Sequence, residues 1–211
     1  MPPEGGGTPL GLASVVGGLR YLRTQPVAMM TFVVDINAMV FGMPRALFPA
    51  LALGRFHGGP GSAGLLYAAP AIGAFLGALF SGWAGRVRRQ GLAVLIAIVV
   101  WGLAIVGFGF STAMWFAVVM LAVAGAADMI SAVYRTAILQ VATPDEYRGR
   151  LSGVFIAVVA GGPRLGDVEA GSVAALTSAQ FSVVSGGVLC VLGVVALGLA
   201  VPAFAAYERP D

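Results

Sequence analysis

Apolar residues run along this chain in six long blocks, separated by short polar or glycine-rich gaps. The blocks fall at 27–52, 64–84, 91–110, 113–137, 151–173 and 181–205. A helix needs about 20 apolar residues to cross the hydrocarbon of a bilayer, so the pattern predicts six membrane-spanning helices. Gly58, Gly59, Pro60 and Gly61 join the first two, and Ser111 and Thr112 make the tight turn between the third and fourth. Thr143, Pro144, Asp145 and Glu146 read as a helix start. Thr143 would cap it, Pro144 would take the first helical position, and Glu146 would complete a capping box. Ahead of the blocks, Leu12, Val15, Val16, Leu19 and Leu22 recur at helical spacing within 10–23. That stretch is too short to span and predicts a helix lying on the membrane surface or against the bundle. Residues 1–9, dominated by Pro and Gly, read as a flexible tail without the basic start of a signal peptide. The expected organisation is a tail and surface helix over 1–26, a transmembrane domain over 27–205, and a tail over 206–211.

Composition strengthens this reading. The chain is 59% hydrophobic and only 10% charged, whereas a soluble domain carries roughly 25% charged residues. Its mean hydropathy is +0.93. The expected class is an all-α membrane protein, with the lipid bilayer as solvent. A net charge of +3 is weak evidence for nucleic acid, and no such partner is expected. Cys190 is the single cysteine and reads as a packing residue in an apolar run. His57 is the single histidine and has no Cys pair to share a zinc ion. No metal or cofactor is expected.

The positions of the charges matter more than their sum. The twelve basic residues are all arginine. With six crossings, Arg20, Arg23, Arg86, Arg88, Arg89, Arg148, Arg150 and Arg209 fall on one side, and Arg55 and the nearby Arg45 on the other. Cytoplasmic loops carry the excess of basic residues, so both termini are expected in the cytoplasm. The stretch GWAGRVRRQG, 82–91, then marks a cytoplasmic turn. Its arginines could also latch onto carboxylates or helix-end carbonyls of a neighbouring helix pair.

Several ionisable residues sit inside the blocks, among them Asp35, Asp128, Arg135, Arg164, Asp167 and Glu169. A charge at the bilayer centre costs about 2.5–3.5 kcal/mol on insertion scales, and such residues mark functional sites by default. Arg135 and Glu169 lie near the ends of their blocks and read as snorkelling side chains. Arg164 and Asp167 are three apart and could pair on one helix face, or meet a substrate. Asp35 and Asp128 have no opposite charge three or four residues away, so each needs another helix, water or a proton. Asp35, Asn37, Asp128, Arg164 and Asp167 are the candidate cavity residues. Pro163, inside GGPRLGD (161–167), predicts a kink or broken turn at mid-membrane. DINAMVF (35–41) and DMISAVY (128–134) align Asp, Val and aromatic positions, which hints at a repeat of two three-helix units. Gly73, Gly77 and Ser81, and Gly162 and Gly166, keep the four-residue spacing that lets helices approach closely.

Five stretches carry a family resemblance: GLRYLRTQP (18–26), PRALFPALA (44–52), SGWAGRVRRQG (81–91), TPDEYRGRLSG (143–153) and GGPRLGD (161–167). In this order, and over nearly the whole chain, they resemble the C-terminal half of a major facilitator superfamily transporter. The similarity is to the enterobactin-exporter-like branch of drug and siderophore exporters. It implies a six-helix bundle that is one half of the fold, built as a 3+3 inverted repeat. It also implies a cavity shared with a first half that this sequence lacks. Of the superfamily's loop signature only the basic tail survives, and Gly85 stands where the signature has Asp.

The leading expectation is a secondary exporter of a hydrophobic or amphipathic small molecule, driven by protons and working with a missing N-terminal half or a second copy. Asp35 and Asp128 would be cavity carboxylates, with Arg164 and Asp167 beside them. Arg86, Arg88, Arg89, Asp145, Glu146, Arg148 and Arg150 would serve the cytoplasmic gating loops. The plasma membrane is the expected location. An alternative is a truncated, non-transporting remnant, which the MPPEGGG start would suit. An intramembrane protease fits poorly: His57 falls in a loop, and RLGD (164–167) lacks the first Gly of an aspartyl GxGD motif.

Overall fold

The computed structural model describes residues 12–209; the tail read at 1–9 lies outside them. The elements are α1 (Leu12–Leu22), α2 (Pro26–Phe41), α3 (Phe48–Gly54), α4 (Pro60–Leu79), α5 (Gln90–Phe110), α6 (Met114–Ala142), α7 (Asp145–Leu176), α8 (Ala179–Ala200) and α9 (Pro202–Ala205). Short 3-10 turns at Arg45–Leu47 and Ser81–Arg86 link them. Six segments are long and apolar enough to cross a membrane, the first being α2 and α3 together, Pro26–Gly54. The described residues form an all-α bundle with six helical segments suited to crossing a membrane.

The packing follows the repeat. Taking α2, α4 and α5 as one unit and α6, α7 and α8 as the other, α2 packs on α7 as α6 packs on α4. Likewise α2 meets α8 as α6 meets α5, while α5 meets α8 and α2 meets α6 across the pseudo-axis. α7 also touches α8, a contact that α4 and α5 do not match to the same extent. The core runs through Val34, Ala38, Trp101, Ile105, Leu121, Tyr134 and Val194. A smaller cluster of Leu22, Ala28, Phe32, Leu151 and Val154 fixes α1 against α2 and α7. α1 packs against the bundle, mainly on α7.

The broken backbone lies in the first span, not the fifth. α2 stops at Phe41, and Pro44 disfavours a helical conformation at Met43 before it. A break in a spanning segment frees backbone groups that lipid does not satisfy, so protein must. Trp101 Nε1 donates to the Gly42 carbonyl at 2.9 Å. Asp167 Oδ1 accepts from the Ala46 amide at 3.0 Å, and the Tyr67 hydroxyl donates to the Arg45 carbonyl at 3.1 Å. Three helices therefore hold one break. Trp101→Phe keeps the ring packing but strands the Gly42 carbonyl. An unpaired buried group costs about 1–3 kcal/mol, whereas hydrogen bonds within membrane bundles average about 0.6 kcal/mol. A destabilisation of about 1 kcal/mol is expected, read as earlier unfolding in detergent. Unfolding identical to the wild type would mean that the bond contributes nothing.

α7, by contrast, runs unbroken through Pro163. Gly162 and Gly166 flank it and both press on Met39 of α2, so the close α2–α7 contact supports the turn that the proline weakens. The capping box is also corrected. Pro144 sits one residue earlier than expected, at the cap, and the Thr143 hydroxyl is buried without a hydrogen bond. Asp145 and Glu146 still place negative charge in the first turn, where the helix dipole favours it.

A candidate ion-pair cleft

Asp35 projects from the middle of α2 and is 4% exposed. Arg135 on α6 is 8% exposed and forms an ion pair with it. The other guanidinium arm, Nη2, lies 3.6 Å from Asp128 Oδ1, whose side chain is 42% exposed. Seven residues separate Asp128 from Arg135, about 20° short of two full turns, so both share one face of α6. One guanidinium thus lies between two carboxylates. Arg45, on the broken segment, borders a small recess together with Asp128.

The cluster lines a cleft of about 200 Å³ among α2, α6 and α7, walled by Met39, Phe155 and Val159. Through Phe32, Thr136 and Leu139 the cleft continues into a recess of about 260 Å³ that reaches Thr143 and Arg148. A recess of about 40 Å³ on the far side of Asp128 borders Pro44, Arg45 and Trp101. Asp128 therefore stands between the broken backbone and the cleft.

The structure brings Asp35 and Asp128 together through Arg135, which the snorkelling reading missed. The signal was available, since a spacing of seven returns to the same helix face. Asn37 is elsewhere: its amide donates to the Cys190 carbonyl at 2.9 Å, in the α2–α8 interface beside Gly193. Asp167 supports the backbone at Ala46 rather than pairing with Arg164. Arg164 is exposed and belongs to no ion pair among the described residues.

The basic turn is tied to the C-terminal segment. Arg89 Nε lies 3.2 Å from Glu208 Oε1, and Arg209 donates from its backbone to the Arg88 carbonyl and from Nη1 to the Gly85 carbonyl. Arg86 is exposed in the same turn. Tyr134 donates to the Ala84 carbonyl at 3.1 Å, which fixes the turn to α6. At the α6–α7 turn, Asp145 pairs with Arg148 at 3.1 Å and Glu146 is exposed. Tyr147 stacks on Tyr21 with centroids 4.2 Å apart, and Arg150 lies 5.5 Å over the Tyr147 ring. The Tyr21 phenol donates to the Ala142 carbonyl. Burial, then Tyr147 and Glu146, hold its pKa above the usual value, so it stays a donor. GLRYLRTQP and TPDEYRGR, far apart in sequence, thus form one clasp.

The described residues thus form a multi-pass helical bundle with buried charges along an open cleft. The chain belongs to the transmembrane secretion effector family of the major facilitator superfamily, whose model matches residues 11–209. It is similar to an enterobactin exporter of Citrobacter koseri, 33% identical over 187 residues, covering 86% of this chain and 44% of the relative. Enterobactin exporters of Escherichia coli and Shigella boydii are 31% identical over 191 residues, covering 88% of this chain and 45% of theirs. The chain thus spans a little under half the length of these relatives. No solved structure matches.

Proposed function

We propose that this bundle is the C-terminal half of a twelve-helix secondary exporter that moves a hydrophobic or amphipathic small molecule out of the cell. It is non-enzymatic, lies in the cell membrane with both ends cytoplasmic, and works with a second six-helix half, supplied as another chain segment or a second copy. The observation that carries this reading is the Asp35–Arg135–Asp128 cluster on the wall of a cleft that a second bundle would close. The division of labour follows from burial. Asp35 is enclosed with its counter-ion and holds Arg135 in place. Asp128 is half open and has a longer contact, so it is the carboxylate that takes up and releases a proton as cargo passes. The family and the named relatives support export; the proton step rests on the cluster.

The test joins the full chain to the N-terminal half of an enterobactin exporter and follows loss of a fluorescent hydrophobic dye from loaded cells. The expected result is export that stops when an uncoupler collapses the proton gradient. Export that continues at the same rate after the gradient is gone would overturn proton coupling. A joined, membrane-inserted protein that moves no dye and no enterobactin would overturn the exporter reading.

A further inference from the structure

A second groove, of about 480 Å³, lies between α5 and α6. Its floor is made of small residues, Ala93 and Ala97 on α5 and Ala126 and Ala127 on α6. Ile96, Val100 and Val123 stand along its rim, exposed. Among its lining residues the one charged side chain is Arg89, at the end where the Ser81–Arg86 turn enters α5. From Arg89 to Val100 the helix rises about 16 Å, close to the depth of one leaflet of a hydrocarbon core about 30 Å thick. The groove does not belong to the ion-pair cleft. Ile130, which lines it, lies two residues past Asp128, about 200° around α6.

We propose that this groove binds one acyl chain of an anionic phospholipid, with the lipid phosphate held by Arg89. An apolar trough of leaflet depth takes a hydrocarbon chain, and the one hydroxyl on its lining, that of Tyr134, is already engaged with the Ala84 carbonyl. Its mouth carries a guanidinium, the donor that matches a phosphate in geometry and charge. Arg86 and Arg88 add positive charge to the same turn, and anionic headgroups are drawn to clusters of this kind. Glu208, 3.2 Å from Arg89 Nε, competes with the phosphate for that guanidinium. The C-terminal segment therefore sets how strongly the site prefers an anionic lipid.

The test places the full chain in nanodiscs of phosphatidylcholine and phosphatidylglycerol in equal parts. Native mass spectrometry then counts the lipids retained after gentle activation. The wild type is expected to keep phosphatidylglycerol in preference to phosphatidylcholine. Arg89→Gln should lower that preference about fivefold, the value of one arginine at an anionic surface. Glu208→Gln should raise it. Ala93→Leu, which fills the floor, and Val100→Phe, which closes the groove from its exposed rim, should each remove the retained lipid with Arg89 intact. No preference in the wild type, or an unchanged one in Arg89→Gln, would overturn the proposal. So would retention that survives both groove-filling variants, since the lipid would then be held by the charged turn alone. The inference rests on the chain being a membrane bundle and not on export, so a protein that fails to transport would leave it standing.

Discussion

Replacing Arg135 by methionine is expected to destabilise the bundle by about 3–5 kcal/mol, because it leaves the Asp35 carboxylate buried without its counter-charge. Asp35 is 4% exposed, so water does not take over the role. The companion experiment decides whether charge is the cause. In Asp35→Asn/Arg135→Met both charges leave together, and neutral replacement of a buried pair is often close to neutral in stability. The double variant should therefore unfold near the wild-type midpoint in detergent while exporting nothing. Asp128→Asn should differ from both. Its side chain is half open and keeps only one longer contact to Arg135, so folding should persist while the pH dependence of export is lost. If Arg135→Met unfolds with the wild type, the ion pair is not what fixes α6 to α2. If Asp128→Asn exports with a normal pH profile, the proton is carried elsewhere.

The spans were legible because a bilayer imposes a minimum length on any crossing helix, and composition reveals that length directly. The close approaches were legible too: small residues four apart point to a backbone contact, and Gly162 and Gly166 do meet Met39. The position of the break was not. Pro44 and Pro163 look alike in sequence, and the difference is made by groups far away along the chain. Gly42 is 59 residues from Trp101, and Ala46 is 121 from Asp167. Those two side chains make a broken turn tolerable at Pro44, while packing on Met39 keeps α7 continuous at Pro163. Arg135 was misread for a similar reason. Distance from a helix end sets depth in the membrane, but only rotation about the axis says whether a side chain faces lipid or the bundle.

The second large effect is expected at the α4–α6 crossing. Beyond the short α3, α4 packs mainly on α6, and Leu66, Ala69 and Gly73 are its buried residues. A single seam therefore holds most of this span. A side-chain carbon added at Gly73 would run into the Ala122 carbonyl, and one at Gly125 into the Pro70 carbonyl. Each obstacle is backbone in a neighbouring helix, with no rotamer to give way, so the helices must part. Overpacking of this kind costs about 1–3 kcal/mol per site and occasionally more. Gly73→Ala and Gly125→Ala should each fall at the upper end, and the double variant should not assemble a native bundle. Separation would also release the Ser81–Arg86 turn from Tyr134 and shift Asp128 and Arg135 on α6. The control is Gly171→Ala in α7, where an added carbon meets nothing within 4 Å. There the higher helix propensity of alanine should stabilise by up to about 1 kcal/mol. Unfolding curves in detergent read all three substitutions on one scale. Opposite signs at Gly171 and at the crossing would show that contact, not glycine content, sets the outcome. A shared sign would mean that α4 and α6 do not meet backbone to backbone.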